Sequence, residues 1–126
     1  MAVQLEAILQ IAIPAKDIDR ATAFYRDTLE IPLLFTGPNM AFFNCGGVRL
    51  YVDANKIDGD FPAGANSFVY FRTADIERQH AELKERKVQI HRKPHLIAAL
   101  ADRDVWLMWI RDTEGNLLGL MEERRK

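Results

Sequence analysis

From Leu5 to Ile13 the chain is mostly apolar and rich enough in β-branched residues to predict a buried strand. Pro14 closes it, because proline has no N–H to give a ladder. Asp17 then offers a carboxylate to the free N–H groups of a helix start. Ile18, Ala21, Tyr25 and Leu29 recur at helical spacing with Phe24 beside them, which predicts one face packed on a sheet. Three short strands are expected next, at Pro32–Thr36, Met40–Asn44 and Val48–Asp53. Gly37-Pro38-Asn39 and Cys45-Gly46-Gly47 supply the turns between them. Residues 54–66, with Asp58-Gly59-Asp60, Pro62 and Gly64, read as a connector.

The same order then recurs. Ser67–Thr73 is a strand, and Asp75 caps a second helix whose inward residues are expected to be Ile76, Ala81 and Leu83. Val88–His91, Val105–Arg111 and Leu117–Glu122 are the strands after it. Segment 92–104, with Pro94, His95 and Asp102-Arg103-Asp104, reads as a connecting loop or a lid, and Glu122–Lys126 as a solvated end. Asp17-Ile18-Asp19-Arg20 is answered by Asp75-Ile76-Glu77-Arg78, 58 residues later and at the same place among the elements. A duplicated βαβββ unit accounts for both the letters and the order. The expected class is α+β: one domain over 1–126, with module one at about 5–53 and module two at about 67–122. The strands would form a curved mixed sheet with the helices on its convex face.

Strand parity sorts side chains by face. Leu9, Ile11, Ile13, Val48, Leu50, Val52, Val69 and Phe71 should face the helices. Ile8, Gln10, Ala12, Arg49, Tyr51, Phe68, Tyr70 and Arg72 then fall on the other side. That side is too polar for a core and too aromatic for a plain surface, so it predicts a ligand cup or a subunit interface. The last hairpin can be registered as well. A three-residue loop Thr113-Glu114-Gly115 with a left-handed Gly115 pairs Asp112 with Asn116 and sets Trp109 opposite Gly119. Trp109, Leu107, Arg111 and Leu117 then face the cup, while Trp106, Met108 and Ile110 go to the helix side.

A chain of 126 residues, 48% hydrophobic and 28% charged, suits one globular domain. The net charge of −1 gives no footprint for nucleic acid or an anionic membrane, and no such partner is expected. Cys45 is the lone cysteine, and no signal peptide or membrane span is visible, so the expected home is the cytoplasm. His91 and His95 are four apart, but Pro94 breaks the helical spacing that zinc binding would use. For acid–base chemistry Glu6, Asp53, Tyr70 and His95 are the nearest candidates.

Two stretches resemble a known family. Asp17-Ile-Asp-Arg-Ala-Thr-Ala-Phe-Tyr-Arg-Asp-Thr-Leu is similar to the first helix of the glyoxalase/bleomycin-resistance/dioxygenase (vicinal oxygen chelate) superfamily. Asp112-Thr-Glu-Gly-Asn-Leu-Leu-Gly-Leu is similar to its closing hairpin, and Phe71-Arg72-Thr73-Ala74-Asp75 fits the entry to its second helix. The resemblance implies four cup positions that hold a divalent ion in metal-dependent members, commonly as His or Gln, Glu, His and Glu. Here these are Gln10, Tyr51, Phe68 and Gly119. Only Gln10 offers a ready ligand atom, so no metal and no other cofactor are expected.

Three functions follow as expectations. The first is a metal-free binding protein that takes a small aromatic or anionic molecule through Gln10, Arg49, Tyr51, Phe68, Tyr70, Arg72 and Trp109. The second is an enzyme of the superfamily with a relocated metal or metal-independent acid–base chemistry. The third is a filled cup face that serves dimerisation. A homodimer is expected, since open strand edges and apolar faces are usually covered.

Overall fold

The computed structural model describes residue 4 and residues 6–55 and 68–126. Leu5, most of the 54–66 connector and Ser67 lie outside these residues. Residues 6–9, expected as part of a buried first strand, are not strand, and Ile8 and Leu9 are each 68% exposed, because the parallel pairing with Val48–Asp53 begins only at Gln10. The chain divides into two compact units, Met1–Phe61 and Pro62–Lys126. The α+β class and the tandem βαβββ order hold, and each unit carries its own four-stranded mixed sheet.

In the first unit, strand β1 (Gln10–Pro14) leads into helix α1 (Ile18–Ala23), with Asp17 as its cap: the carboxylate accepts from the Arg20 N–H at 3.1 Å. The helix continues as a wider π turn over Phe24–Thr28, and the Leu29 N–H donates to the Phe24 carbonyl. Phe24 and Tyr25, adjacent in sequence, are both buried in that turn. Strands β2 (Leu33–Gly37), β3 (Met40–Cys45) and β4 (Val48–Asp53) follow, and the sheet order is β1-β4-β3-β2. The β3–β4 hairpin closes through Gly46 and Gly47 with φ of 59° and 92°. Two consecutive positive φ angles are what two glycines allow and a side chain resists. The core is the helix-facing side: Ile13, Ala21, Tyr25, Phe43, Leu50 and Val52, each at most 2% exposed. The Tyr25 and Phe43 rings lie 5.8 Å apart and tie the π turn to β3.

The second unit repeats the plan with β5 (Val69–Arg72), α2 (Ile76–Glu85), β6 (Gln89–Ala99), β7 (Arg103–Arg111) and β8 (Leu117–Arg125), in the order β5-β8-β7-β6. Asp75 caps α2 as Asp17 caps α1, accepting from Arg78 N–H at 3.1 Å. Ile76, Leu83, Met108, Ile110 and Leu118 make the core. Among the described residues no helix is long and apolar enough to cross a membrane.

Further expectations change. Ala81 is exposed, because positions 76, 79, 80 and 83 share the inner face of α2 and 81 is turned away from it. Segment 92–104 is mostly strand, not a loop or lid: β6 runs to Ala99 with register shifts between Ile90 and Arg92, Arg92 and His95, and Leu96 and Ala98. Pro94 sits within one of these shifts on an edge strand, where a missing N–H costs no ladder bond. The C-terminal run is strand, since β8 reaches Arg125, and Glu122 is buried in it, while Glu123, Arg125 and Lys126 stay exposed as expected. Leu107 is on the expected side of β7 but is buried, 6% exposed, as is Val105 beside it in parity.

Glu122 pins α2 to β8. Its Oε1 accepts from the Ile76 N–H at 2.7 Å, and Arg124 bonds both Glu122 and Glu77 while lying 4.9 Å over the Trp106 ring. Trp106 is thereby on the helix side, as parity requires. The Arg124 hydrogen bond, helped by the Ile76 N–H and opposed by burial, holds the Glu122 carboxyl below the ordinary glutamate range. A carboxylate with a depressed folded pKa stabilises the fold above its unfolded pKa, and that stabilisation is lost as pH falls through the folded value. Glu122→Gln should therefore cost about 1–3 kcal/mol near neutral pH. The gap to wild type should close as the pH is taken below the ordinary glutamate range, measured by urea unfolding across pH. A cost independent of pH would mean that the charge contributes nothing.

Candidate functional site

The faces turned away from the helices carry the candidate residues, and each unit builds its own set. In the first unit parallel pairing of β1 with β4 sets Gln10 beside Arg49 and Ala12 beside Tyr51. Gln10 Oε1 accepts from Arg49 Nε at 2.7 Å. Next to this pair runs a ladder of rings across three strands. Phe35 stacks on Phe42 at 4.5 Å and Phe42 on Tyr51 at 4.6 Å, the latter pair within 5° of parallel. The Arg49 guanidinium lies 5.8 Å from the centre of the Phe42 ring, in range for a cation–π contact. Burial, then the hydrogen bond to the Asp53 carboxylate, pushes the Tyr51 phenol up, so it stays neutral at physiological pH.

Parity on β4 and β1 finds Gln10, Arg49 and Tyr51. Phe42 and Phe35 share this face and are absent from the residues expected there. Phe42 was within reach, because Ala41 and Phe43 alternate with it on β3 and both are buried. Phe35 was not, because a register shift between Leu33 and Phe35 changes the face that simple alternation gives.

In the second unit the closing hairpin has the expected register. Gly115 is left-handed (φ 88°), Asp112 N–H donates to the Asn116 carbonyl at 2.9 Å, and Trp109 pairs with Gly119. Phe68 and Tyr70 gather on Trp109 with ring centres 5.4 and 5.3 Å away. Both are about half exposed, at 52% and 50%, which is unusual for rings already in contact with an indole. Gly119 lies beneath the cluster: a Cβ there would come 2.9 Å from Tyr70 Cδ1 and 3.1 Å from Trp109 Cζ3. Arg72 is exposed at the end of β5, with no ion pair to any described residue. Arg111 donates to the Gly115 carbonyl at 2.9 Å and so serves the turn.

The remaining candidates are not drawn together. His91 is exposed, and the His95 Nδ1–H donates to the Lys93 carbonyl at 2.9 Å. Asp53 is buried and accepts from the Asn55 N–H at 2.8 Å, while Glu6 is exposed. Burial pushes the Cys45 thiol up, away from a nucleophile's range.

The sequence profile of the Glyoxalase/Bleomycin resistance protein/Dioxygenase superfamily matches residues 7–120. The chain belongs to this superfamily. Its relatives are distant. It is 23% identical to the uncharacterized protein YraH of Bacillus subtilis (strain 168), over 88% of this chain and 94% of that protein. It is 23% identical to the metallothiol transferase FosB of Staphylococcus epidermidis, over 90% of this chain and 65% of FosB, so it spans under two thirds of that relative. Among solved structures, a lactoylglutathione lyase from Agrobacterium tumefaciens superposes with a TM-score of 0.75 at 22% identity, covering 94% of this chain and 95% of that one. Likeness at this level carries the fold alone.

The superfamily's metal can be tested against the four matching positions. The Gln10 oxygen is held by a guanidinium, whose charge repels a second cation. The Tyr51 phenol is kept neutral, and Phe68 has only carbon to offer. Gly119 has no side chain, and the rings of Tyr70 and Trp109 crowd the space where one would begin. These residues do not fit a divalent ion. Elsewhere among the described residues, Asp75, Glu77 and Glu122 bring carboxylate oxygens within 4.8 Å of one another. Arg124 already bonds two of the three.

The contact at Gly119 has a measurable consequence. Gly119→Ala should destabilise the protein by about 1–3 kcal/mol through overpacking. Tyr70 has to turn off Trp109 to make room, so Tyr70→Ala should relieve much of that cost. A double-mutant cycle by urea unfolding checks this, and strictly additive effects would contradict it.

Proposed function

We propose that this chain is a metal-free small-molecule-binding protein of the glyoxalase/bleomycin-resistance superfamily, acting as a single domain. Its ligand contacts are Gln10, Arg49, Tyr51, Phe68, Tyr70, Arg72 and Trp109. The observation that supports this most is the fate of the four metal positions, where rings and a guanidinium stand in place of ligand atoms. Half-exposed aromatic rings already ordered by mutual contact give a flat molecule stacking area at little further entropy cost.

A second reading, an enzyme of the superfamily, draws on the likeness to FosB and to a lactoylglutathione lyase, both named for reactions. It requires a relocated metal or acid–base chemistry without one. Glu6, Tyr70 and His95 are not drawn together, and the one phenol that Asp53 meets, Tyr51, is pushed up and stays neutral, which weighs against the latter.

A thermal-shift screen of small aromatic molecules tests the first reading, because binding to the folded state alone raises the apparent stability. Trp109→Ala should abolish the shift given by any hit. Its own cost should be less than the roughly 3–5 kcal/mol of a large aromatic lost from a core, since Trp109 is half-buried. Metal analysis of the purified protein should find no stoichiometric zinc, nickel, manganese or iron. Near one equivalent, lost on mutating Gln10, would establish the enzyme reading instead.

A homodimer in the cytoplasm belongs to the same proposal. β6 is an edge strand that exposes Leu96 and Ile97, with Leu100 just past its end, at 40–47%. Such a strand is usually covered. Sedimentation at micromolar concentration should show two chains, and a monomer would contradict it.

A further inference from the structure

We propose that Arg49 anchors the carboxylate of a flat aromatic ligand, supplying the positive charge beside Gln10, one of the four positions that match metal ligands of the superfamily. The proposal rests on the metal-free reading above and deepens it by naming the ligand class. Arg49 is half-buried in the middle of the first sheet. Its strand neighbours are Gln10 on β1 and Asn44 on β3, both neutral. Asn44 is turned to its own hairpin, accepting from the Gly47 N–H at 3.0 Å. Gln10 takes the Nε–H alone. The Nη1 and Nη2 groups have no acceptor among the described residues. Arg26, Arg86, Arg103 and Arg124 by contrast each bridge a carboxylate.

A guanidinium held through Nε by a neutral amide keeps its full charge and presents its two terminal amino groups as a fork. That fork matches the two oxygens of a carboxylate. The body of the ligand is set by what lies alongside. Arg49 stands over Phe42, and Phe42 is the middle rung of the Phe35–Phe42–Tyr51 ladder, whose outer ring Phe35 is 53% exposed. An acid bound to the fork thus has its ring system directed along an aromatic surface that is ordered before binding.

The test compares 2-naphthoate with 2-naphthamide, equal in shape and different in charge, by NMR titration that follows the Arg49 Nε–Hε resonance, assigned by its loss in Arg49→Gln. Naphthoate should move that resonance and bind at least about tenfold more tightly than naphthamide. Its affinity should fall with added salt. Arg49→Gln should level the pair. Gln10→Glu should level it too while keeping the arginine and the fold, because it gives the guanidinium an internal carboxylate.

Equal binding of the two probes to wild type would overturn the anchor and leave metal-free aromatic binding standing. So would a naphthoate complex that leaves the Arg49 resonance unmoved, or a Gln10→Glu variant that still prefers naphthoate. Failure of both probes to bind would also overturn the anchor, and the wider reading would then stand or fall on the library screen.

Discussion

The Asp112 carboxylate decides which side of the second sheet is core and which is site. It is 5% exposed and accepts from Glu114 N–H at 2.9 Å, Asn116 N–H at 2.7 Å and Asn116 Nδ2 at 2.8 Å. Together with the left-handed Gly115 it closes a loop of three residues between β7 and β8. A hairpin slipped by one residue exchanges the faces of a whole strand. With the register fixed, Trp109 falls opposite Gly119 and beside Tyr70, while Trp106 goes to the α2 side under Arg124. The helix pin through Glu122 and the aromatic cluster across the sheet therefore rest on one buried turn.

Much of this plan was legible because the deciding residues act locally. An Asp before an apolar period caps a helix wherever it sits, so Asp17 and Asp75 mark both helices and the duplication between them. Gly46-Gly47 and Gly115 announce backbone conformations that other residues avoid. What was not legible depends on partners distant in sequence. Pro94 looks like a break until β7 is seen beside a strand that is bulged and at an edge. Glu122 and Arg124 look like a charged tail until the N-terminus of α2 is placed above them. Phe35 required knowledge of a register shift that no letter in β2 announces.

The candidate residues divided along the same line. Alternation assigns a face, and it assigned Gln10, Arg49 and Tyr51 on one sheet and Phe68, Tyr70 and Trp109 on the other. Alternation does not say which side chains meet. Gln10 gives its oxygen to Arg49, which changes its meaning from an available metal ligand to a clamp on a cation. At Gly119 the sequence reveals only an absent side chain, whereas the packing reveals that two rings have closed over the vacancy. A missing ligand atom could be restored by one substitution. A filled space needs the neighbours to change as well, so at Gly119 the departure is built into the packing.

The two modules reach that packing by opposite routes. Residues 12 and 70 are 58 apart, the offset of the helix caps. Ala12 pairs with Tyr51 across parallel strands, and Tyr70 pairs with Gly119 in the same way. Each pairing thus sets one aromatic ring against one small residue, but the ring is on the last strand of the first module and on the first strand of the second. In both modules the small residue leaves the ring opposite it free to lean sideways onto a third strand, where it meets another ring. The exchange leaves different surroundings. In the first module the ring on β4 joins a ladder through Phe42 to Phe35 and leaves room beside it for Arg49. In the second the ring on β5 leans over a bare backbone and is braced by Trp109 from β7. One repeated plan has in this way produced a ring ladder with a guanidinium beside it in the first module and a three-ring cluster over a glycine in the second.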